Sequence, residues 1–105
     1  MKLREIAHGR TGDKGDTCNI SVIAFHRHDY ARIEAEVTAA RIQALFEGVV
    51  RGAVVRYELP QLGALNFVMT RALGGGVTRS LAVDGHGKSL SSAVMNLEIS
   101  DGARR

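Results

Sequence analysis

The sequence contains one cysteine, one proline and no tryptophan, and only 5% of its residues are aromatic. Because Cys18 is the sole cysteine, an intrachain disulfide and a thiolate-ligated metal cluster are both excluded. The basic stripe with interleaved aromatics that is typical of nucleic-acid binding is missing as well. No apolar run approaches the length of a membrane span, and the N-terminal segment lacks the apolar centre of a signal peptide. We therefore expect a cytoplasmic protein that binds neither nucleic acid nor a membrane.

The overall composition is that of an ordinary soluble domain. Of the 105 residues, 45% are hydrophobic and 24% are charged, with a formal net charge of +3. A chain of this size can bury a single core. We expect one domain over residues 1–105, with residues 1–5 and 100–105 frayed at its ends.

Strand patterns alternate with helical spacing along the chain. Asp29 is a candidate N-cap for a helix that Thr38 bends or restarts, and Pro60 ends a strand. A final helix is predicted over Leu90–Glu98 with Ser89 as its cap, although the second half of this segment also alternates like a closing strand. The predicted strands are Leu3–His8, Ile20–Phe25, Val54–Leu59, Leu65–Leu73 and Ser80–Val83, and Asp84-Gly85 is a turn signal.

This order of elements predicts an α+β fold. Short turns between the later strands favour a two-layer sandwich with a mainly antiparallel sheet and two helices on one face. The other face is either open to solvent or covered by a second subunit, which leaves room for a homo-oligomer.

The first candidate site is the glycine-rich stretch His8–Ile20, HGRTGDKGDTCNI, which we expect to be a loop between two strands. Three closely spaced glycines indicate unusual dihedral angles or a close approach of the backbone to another group. The spacing excludes a P-loop, because Lys14 precedes Gly15, and it also excludes an EF-hand. Asp13 and Asp16 could still supply two oxygen ligands for Mg²⁺ or Ca²⁺. The alternative is a tight Ω-like loop with local hydrogen bonds.

A second glycine cluster, LGGGVTRS, covers Leu73–Ser80. Its hydroxyls and Arg79 suit a carboxylate or a phosphate, whereas a β-bulge or a wide connection between strands is the competing interpretation. If the two glycine-rich stretches meet at one sheet edge, they form one polar site.

The four histidines have no convincing metal-ligand spacing. His26 and His28 straddle the end of a strand and are expected to be solvated, as is His86. His8 is a candidate acid or base because it begins the glycine-rich stretch. Cys18 is expected to be a small buried residue rather than a nucleophile.

Three motifs, GDKGD, RYELPQLGALNFV and ALGGGVTRSL, make the chain resemble the ferredoxin-like domain at the C-terminus of proteins of the acyclic terpene utilisation family, AtuA. The resemblance runs from about Ile6 to Ile99. The family pattern A-R-S-G-D-K-G-D-x-x-N-I is matched except that Gly9 and Thr11 replace the small alanine and the serine. The resemblance implies a ferredoxin-like fold and a setting in the catabolism of branched or terpenoid acids. It assigns no catalytic residue and no cofactor.

We therefore expect an accessory or subunit-like domain of an AtuA-type system, acting as a homo-oligomer, with a separate AtuA-type large chain, or both. A small acyl or anionic ligand would bind a polar site shared with the partner. Two alternatives remain: a small independent isomerase or hydratase acting on an acyl-CoA or carboxylic acid, and a structural oligomer without a catalytic site. The catalytic candidates are His8, Asp13 and Asp16, and the ligand-binding candidates are Arg10, Gly12, Asp13, Lys14, Gly15, Asp16, Asn19, Gly75, Gly76, Thr78, Arg79 and Ser80.

Overall fold

Four strands and three α-helices form the framework of the part of the chain that the structure describes. The structure is a computed structural model, and it describes residues 1–14, 17–47, 50, 52–70 and 88–100. The elements are β1 (Ala7–Lys14), β2 (Thr17–Ala24), α1 (Tyr30–Glu36), α2 (Ala39–Leu45), β3 (Val54–Leu59), β4 (Ala64–Met69) and α3 (Lys88–Met95), with 3₁₀ helices at Leu3–Glu5, Arg27–Asp29 and Pro60–Leu62.

The strands pair in the order β1-β2-β4-β3, and every pairing is antiparallel. Helices cover one side of this sheet. The main core lies between the two layers and contains Ile33 and Ile42 from the first two helices, Leu90 and Val94 from α3, and Phe67 from β4. The predicted α+β two-layer sandwich is thus confirmed.

The region between β2 and β3 follows the sequence prediction closely. Asp29 occupies the N-cap position of α1, but its carboxylate lies 3.6 Å from the guanidinium of Arg32 and makes no capping hydrogen bond. The predicted break at Thr38 is confirmed, because α1 ends at Glu36 and Thr38 is the N-cap of α2. The Thr38 hydroxyl accepts a hydrogen bond from the Arg41 N–H. Such a side-chain acceptor satisfies one of the N–H groups that a helix start leaves unpaired.

The predicted strand Val54–Leu59 matches β3 at both ends. Pro60 then begins a 3₁₀ helix, and Gly63 closes it in the left-handed region with φ 62°. Glycine reaches this conformation without steric cost, so the tight connection to β4 depends on it.

The glycine-rich stretch is mainly strand, and its prediction as a loop is wrong for residues 8–14 and 17–20. β1 and β2 form a hairpin in which pairing continues to Lys14 opposite Thr17. Gly9 does not form a turn. Its lack of a side chain lets α3 pack closely on β1, since a Cβ there would lie 3.0 Å from the terminal methyl group of Met95 in α3. A glycine within a strand is typical of such a close approach.

The N-terminal segment also differs from its prediction. A 3₁₀ helix replaces the first part of the expected strand Leu3–His8, and the segment 1–5 is anchored rather than frayed. Leu3 is fully buried, and its N–H donates to the carbonyl of Leu97 at 2.9 Å. An isolated antiparallel bridge joins Lys2 to Glu98 beside this bond.

The C-terminal part forms a shorter helix than expected. α3 already includes Lys88 and ends at Met95, so Ser89 is not its cap and the helix does not reach Glu98. The single bridge at Glu98 takes the place of a closing strand. The predicted strand Ser80–Val83, the turn Asp84-Gly85 and the end of Leu65–Leu73 beyond Thr70 lie outside the described residues. Within the described part of the chain, no helix has the length and apolar character to cross a membrane.

Candidate functional site

The side of the sheet that the described helices leave uncovered, here called the open face, carries the site candidates His8, Arg10, Gly12 and Asn19. Side chains alternate between the two faces of a strand. Cys18, Ile20 and Val22 of β2 belong to the core with Leu65 of β4, so their neighbours in each strand lie on the other side. The open face consists of His8, Arg10, Gly12, Thr17, Asn19, Ser21, Ile23, Val55, Tyr57, Leu59, Ala64, Asn66 and Val68.

A polar row crosses the middle of the open face from one edge strand to the other. The register places Arg10 opposite Ser21, Ser21 opposite Asn66, and Asn66 opposite Tyr57. The side-chain amide of Asn66 donates to the hydroxyl of Ser21 at 2.9 Å, which joins the two central strands. Sequence reasoning missed Ser21, Asn66 and Tyr57, because their motifs do not reveal which strands pair or in what register.

Arg10 is the cationic member of this row. Its side chain is exposed, and it makes no hydrogen bond or ion pair with the residues that the structure describes. A guanidinium presents five donors in a planar fork that suits carboxylates, phosphates and aromatic faces. No described residue therefore occupies the guanidinium donors of Arg10 that an external group could use.

Gly12 and Asn19 lie opposite each other in the next row towards the β1–β2 turn. A Cβ on Gly12 would come within 3.3 Å of both polar atoms of the Asn19 amide. The glycine thus leaves room for this amide beside the β1 backbone. An amide placed in this way offers a donor and an acceptor near the end of the sheet.

The β1–β2 hairpin closes at the end of the sheet where β4 ends. Lys14 pairs with Thr17 at the turn of the hairpin, and the next residue, Cys18, pairs with Met69 at the end of β4. The end of β4 therefore lies beside the end of the β1–β2 hairpin. Gly15, Asp16, Gly75, Gly76, Thr78, Arg79 and Ser80 lie outside the described residues, and for Asp13 and Lys14 the description is limited to the backbone of β1.

His8 lies at the other end of β1. It is six residues from Lys14, which corresponds to about 20 Å along a strand, and its ring stacks on Phe25 with centroids 5.3 Å apart. The sequence suggested that His8 lies beside a compact loop. Because residues 8–14 are instead part of an extended strand, His8 is far from the turn. The structure does not bring His8 together with the turn.

The remaining chemical candidates are outside this region. His26 and His28 are exposed and stack on each other with centroids 5.5 Å apart. Among the described residues there is no group of three or more His, Cys, Asp or Glu side chains arranged to hold a metal. Cys18 is buried in the core, as predicted, and His86 lies outside the described residues.

An antiparallel four-stranded sheet with helices on one side and a polar open face defines the protein as a ferredoxin-like α+β domain. The chain belongs to the AtuA ferredoxin-like domain family, whose model matches residues 1–100. No curated protein matches the chain. No solved structure matches it either.

Proposed function

We propose that this protein is an accessory or subunit-like domain of an AtuA-type system for the catabolism of branched or terpenoid acids. The turn end of the open face, where the two glycine-rich motifs leave the sheet, contributes polar groups to a site shared with an AtuA-type large chain. A small acyl or other anionic ligand binds at this site.

The observation that carries the proposal is the pairing of Cys18 with Met69 directly beside the hairpin turn. This register ends β4 at Met69 beside the end of the β1–β2 hairpin, and the sequence continues from there towards LGGGVTRS. Polar residues from distant segments that emerge at one edge of a rigid sheet are typical of binding sites.

Arg10 and the side-chain amide of Asn19, which have no hydrogen-bond partner among the residues that the structure describes, support the same proposal. Arg10 and Asn19 extend the polar surface from the turn end onto the sheet. The framework beneath them is rigid, since Cys18 and Ile20 are fully buried on the opposite side of β2. A site mounted on strands keeps its geometry when a partner supplies the remaining groups.

Co-expression with an AtuA-type large chain tests the proposal. We expect the two chains to co-purify, and we expect Asp13→Ala and Arg79→Ala each to weaken the complex by about tenfold, as the loss of one charge-assisted hydrogen bond implies. Arg4→Ala and Glu5→Ala are matched controls, because both residues are exposed and belong to the 3₁₀ helix before β1, at the opposite end of this strand from the turn. They are expected to leave the affinity unchanged.

Two results would contradict the proposal. The first is a complex that tolerates Asp13→Ala and Arg79→Ala as well as the control variants. The second is an isolated monomer that converts an acyl-CoA or a carboxylic acid by itself, because an accessory domain lacks a complete catalytic set.

A further inference from the structure

We infer that a second copy of this chain packs on the open face, related to the first by a two-fold axis that runs between the sheets and parallel to the strands. This homodimer goes beyond the proposed function, which concerns a different chain at the turn end. The argument depends on the distribution of charged, polar and apolar side chains over the four strands.

One edge of the open face is apolar and aromatic. Val55, Tyr57 and Leu59 of β3 point away from the helices and are 42%, 53% and 38% exposed. Three consecutive exposed side chains of this size on one side of a strand form a continuous strip. Such strips are characteristic of surfaces that another protein covers.

The opposite edge of the open face is cationic. Arg10 on β1 is exposed and has no partner among the described residues. The two central strands carry only uncharged residues on this side, and none of the described side chains on the open face is acidic. No described acidic side chain on this face therefore pairs with Arg10, and the apolar strip lies at the other edge, beyond the two central strands.

A two-fold axis parallel to the strands gives Arg10 a partner and also covers the apolar strip. It lays β1 of one copy over β3 of the other and keeps each row opposite the same row. Arg10 then faces the ring of Tyr57 in the second copy, and Ser21 faces Asn66. A guanidinium over a tyrosine ring gains a cation–π interaction, and desolvation between two sheets strengthens it.

The other in-plane two-fold axis is unfavourable. An axis perpendicular to the strands would lay β1 over β1 and bring the two Arg10 side chains together. Like charges at an interface of low dielectric constant repel each other, so this orientation is selected against. Sheets that pack face to face lie about 10 Å apart, which leaves room for the interdigitating side chains of both copies.

The parallel axis has a further consequence. It places the turn ends of the two sheets at the same end of the dimer. The turn ends of both copies therefore remain accessible to a large chain, but a large chain that also covers Arg10 and Asn19 competes with the second copy for the open face.

Sedimentation equilibrium of the purified chain tests the inference. Because the four-stranded face is small, we expect a dimer that dissociates within a range of about 1 to 200 μM. Tyr57→Arg places a cation opposite Arg10 and is expected to raise the dimer Kd at least about tenfold. Tyr57→Phe keeps the ring and is expected to change the Kd by less than about threefold.

The charge-swapped double variant tests the orientation. Arg10→Glu combined with Tyr57→Arg creates an ion pair twice across the interface, so we expect the dimer to return. Gln43→Arg is the control for added charge, since Gln43 is exposed on α2 on the other side of the sheet. Circular dichroism establishes folding of each variant, and Val55→Lys replaces Tyr57→Arg if the latter does not fold.

A chain that stays monomeric throughout this concentration range would overturn the inference. So would a dimer that tolerates Tyr57→Arg as well as Gln43→Arg does. Failure of the double variant to restore a dimer lost in Tyr57→Arg would overturn the orientation. These measurements use the chain alone, so their outcome is independent of binding to an AtuA-type large chain.

Discussion

Arg56 connects β3 to the end of α1. One terminal nitrogen of its guanidinium donates to the carbonyls of Glu34 at 2.6 Å and Val37 at 2.9 Å, and the other donates to the Glu58 carboxylate at 2.8 Å. Carbonyls at the end of a helix have no intrahelical donor, so an arginine that reaches two of them replaces solvent there. Arg56 is thus the residue that ties the first helix to the edge of the sheet.

We expect Arg56→Leu to lower the free energy of unfolding by about 2 kcal/mol, because two part-buried carbonyls lose a charged donor. Urea unfolding followed by circular dichroism measures this loss. Arg27→Leu is the matched control, since Arg27 is exposed and, among the described residues, donates only to the carbonyl of Gln61. An equal loss in both variants would contradict the role given to Arg56.

Tyr30 carries a hydroxyl that is buried and has no hydrogen-bond partner in the described structure. Burial raises the pKa of Tyr30, and the carboxylates of Glu34 and Glu58 raise it further, while Arg56 opposes them. The folded protein therefore favours the neutral phenol. This contribution to stability is complete below the unfolded pKa near 10 and is lost as the pH rises through the raised folded pKa.

Tyr30→Phe removes an unsatisfied polar atom, so we expect it to leave stability at pH 7 unchanged or to raise it by up to about 1 kcal/mol. Above about pH 10 the variant should lose less stability than the wild type, because it has no phenol to ionise. Urea unfolding at pH 7 and at alkaline pH measures both effects. A destabilised variant at pH 7 would show that the hydroxyl has a partner.

At the level of elements, local signals predicted β3 well and β1 poorly. Period-two alternation and Pro60 are sufficient to define Val54–Leu59, because both act within a few residues. Gly9 and Gly12 suggested a loop, yet they lie in a strand. Gly9 leaves room for the side chain of Met95, and Gly12 leaves room for that of Asn19. Such neighbours come from distant or paired segments that the sequence does not identify.

The same limit applies to the candidate site. Arg10, Gly12 and Asn19 were found because they belong to one motif, and alternation places them on one face. Their partners Ser21, Asn66 and Tyr57 depend on the register of three strand pairs. Register follows from burial across the whole sheet, so it becomes visible only in the folded structure.

We expect Gly9→Val to lower the free energy of unfolding by about 1–3 kcal/mol, because its side chain must displace α3 from β1. Its Cβ alone would lie 3.0 Å from the Met95 methyl group and 3.5 Å from the Ser91 Cβ. Combining Gly9→Val with Met95→Ala opens this space and should recover part of the loss. A thermodynamic double-mutant cycle with zero coupling energy would contradict this packing.

At the scale of the whole molecule, the N-terminal segment closes the core between β1 and α3. The Leu3 N–H donates to the carbonyl of Leu97, and the Ile99 N–H donates to the carbonyl of Met1. Both ends of the segment 1–3 are thus hydrogen-bonded to the chain after α3. Leu3 and Ile99 also belong to the main core cluster. We therefore expect these residues, although far apart in the sequence, to unfold together rather than to fray separately.

We expect Leu3→Ala to lower the free energy of unfolding by about 2–4 kcal/mol, since it removes a fully buried side chain and leaves a cavity. Leu62→Ala is the matched control, because Leu62 is 68% exposed and should lose less than about 0.5 kcal/mol. Hydrogen exchange gives an independent measure: the amides of Leu3 and Ile99 should exchange as slowly as those of β2. If the N-terminal segment frayed, these amides would exchange rapidly and Leu3→Ala would behave like Leu62→Ala. Slow exchange with a large loss would establish that the first residues are part of the cooperative core.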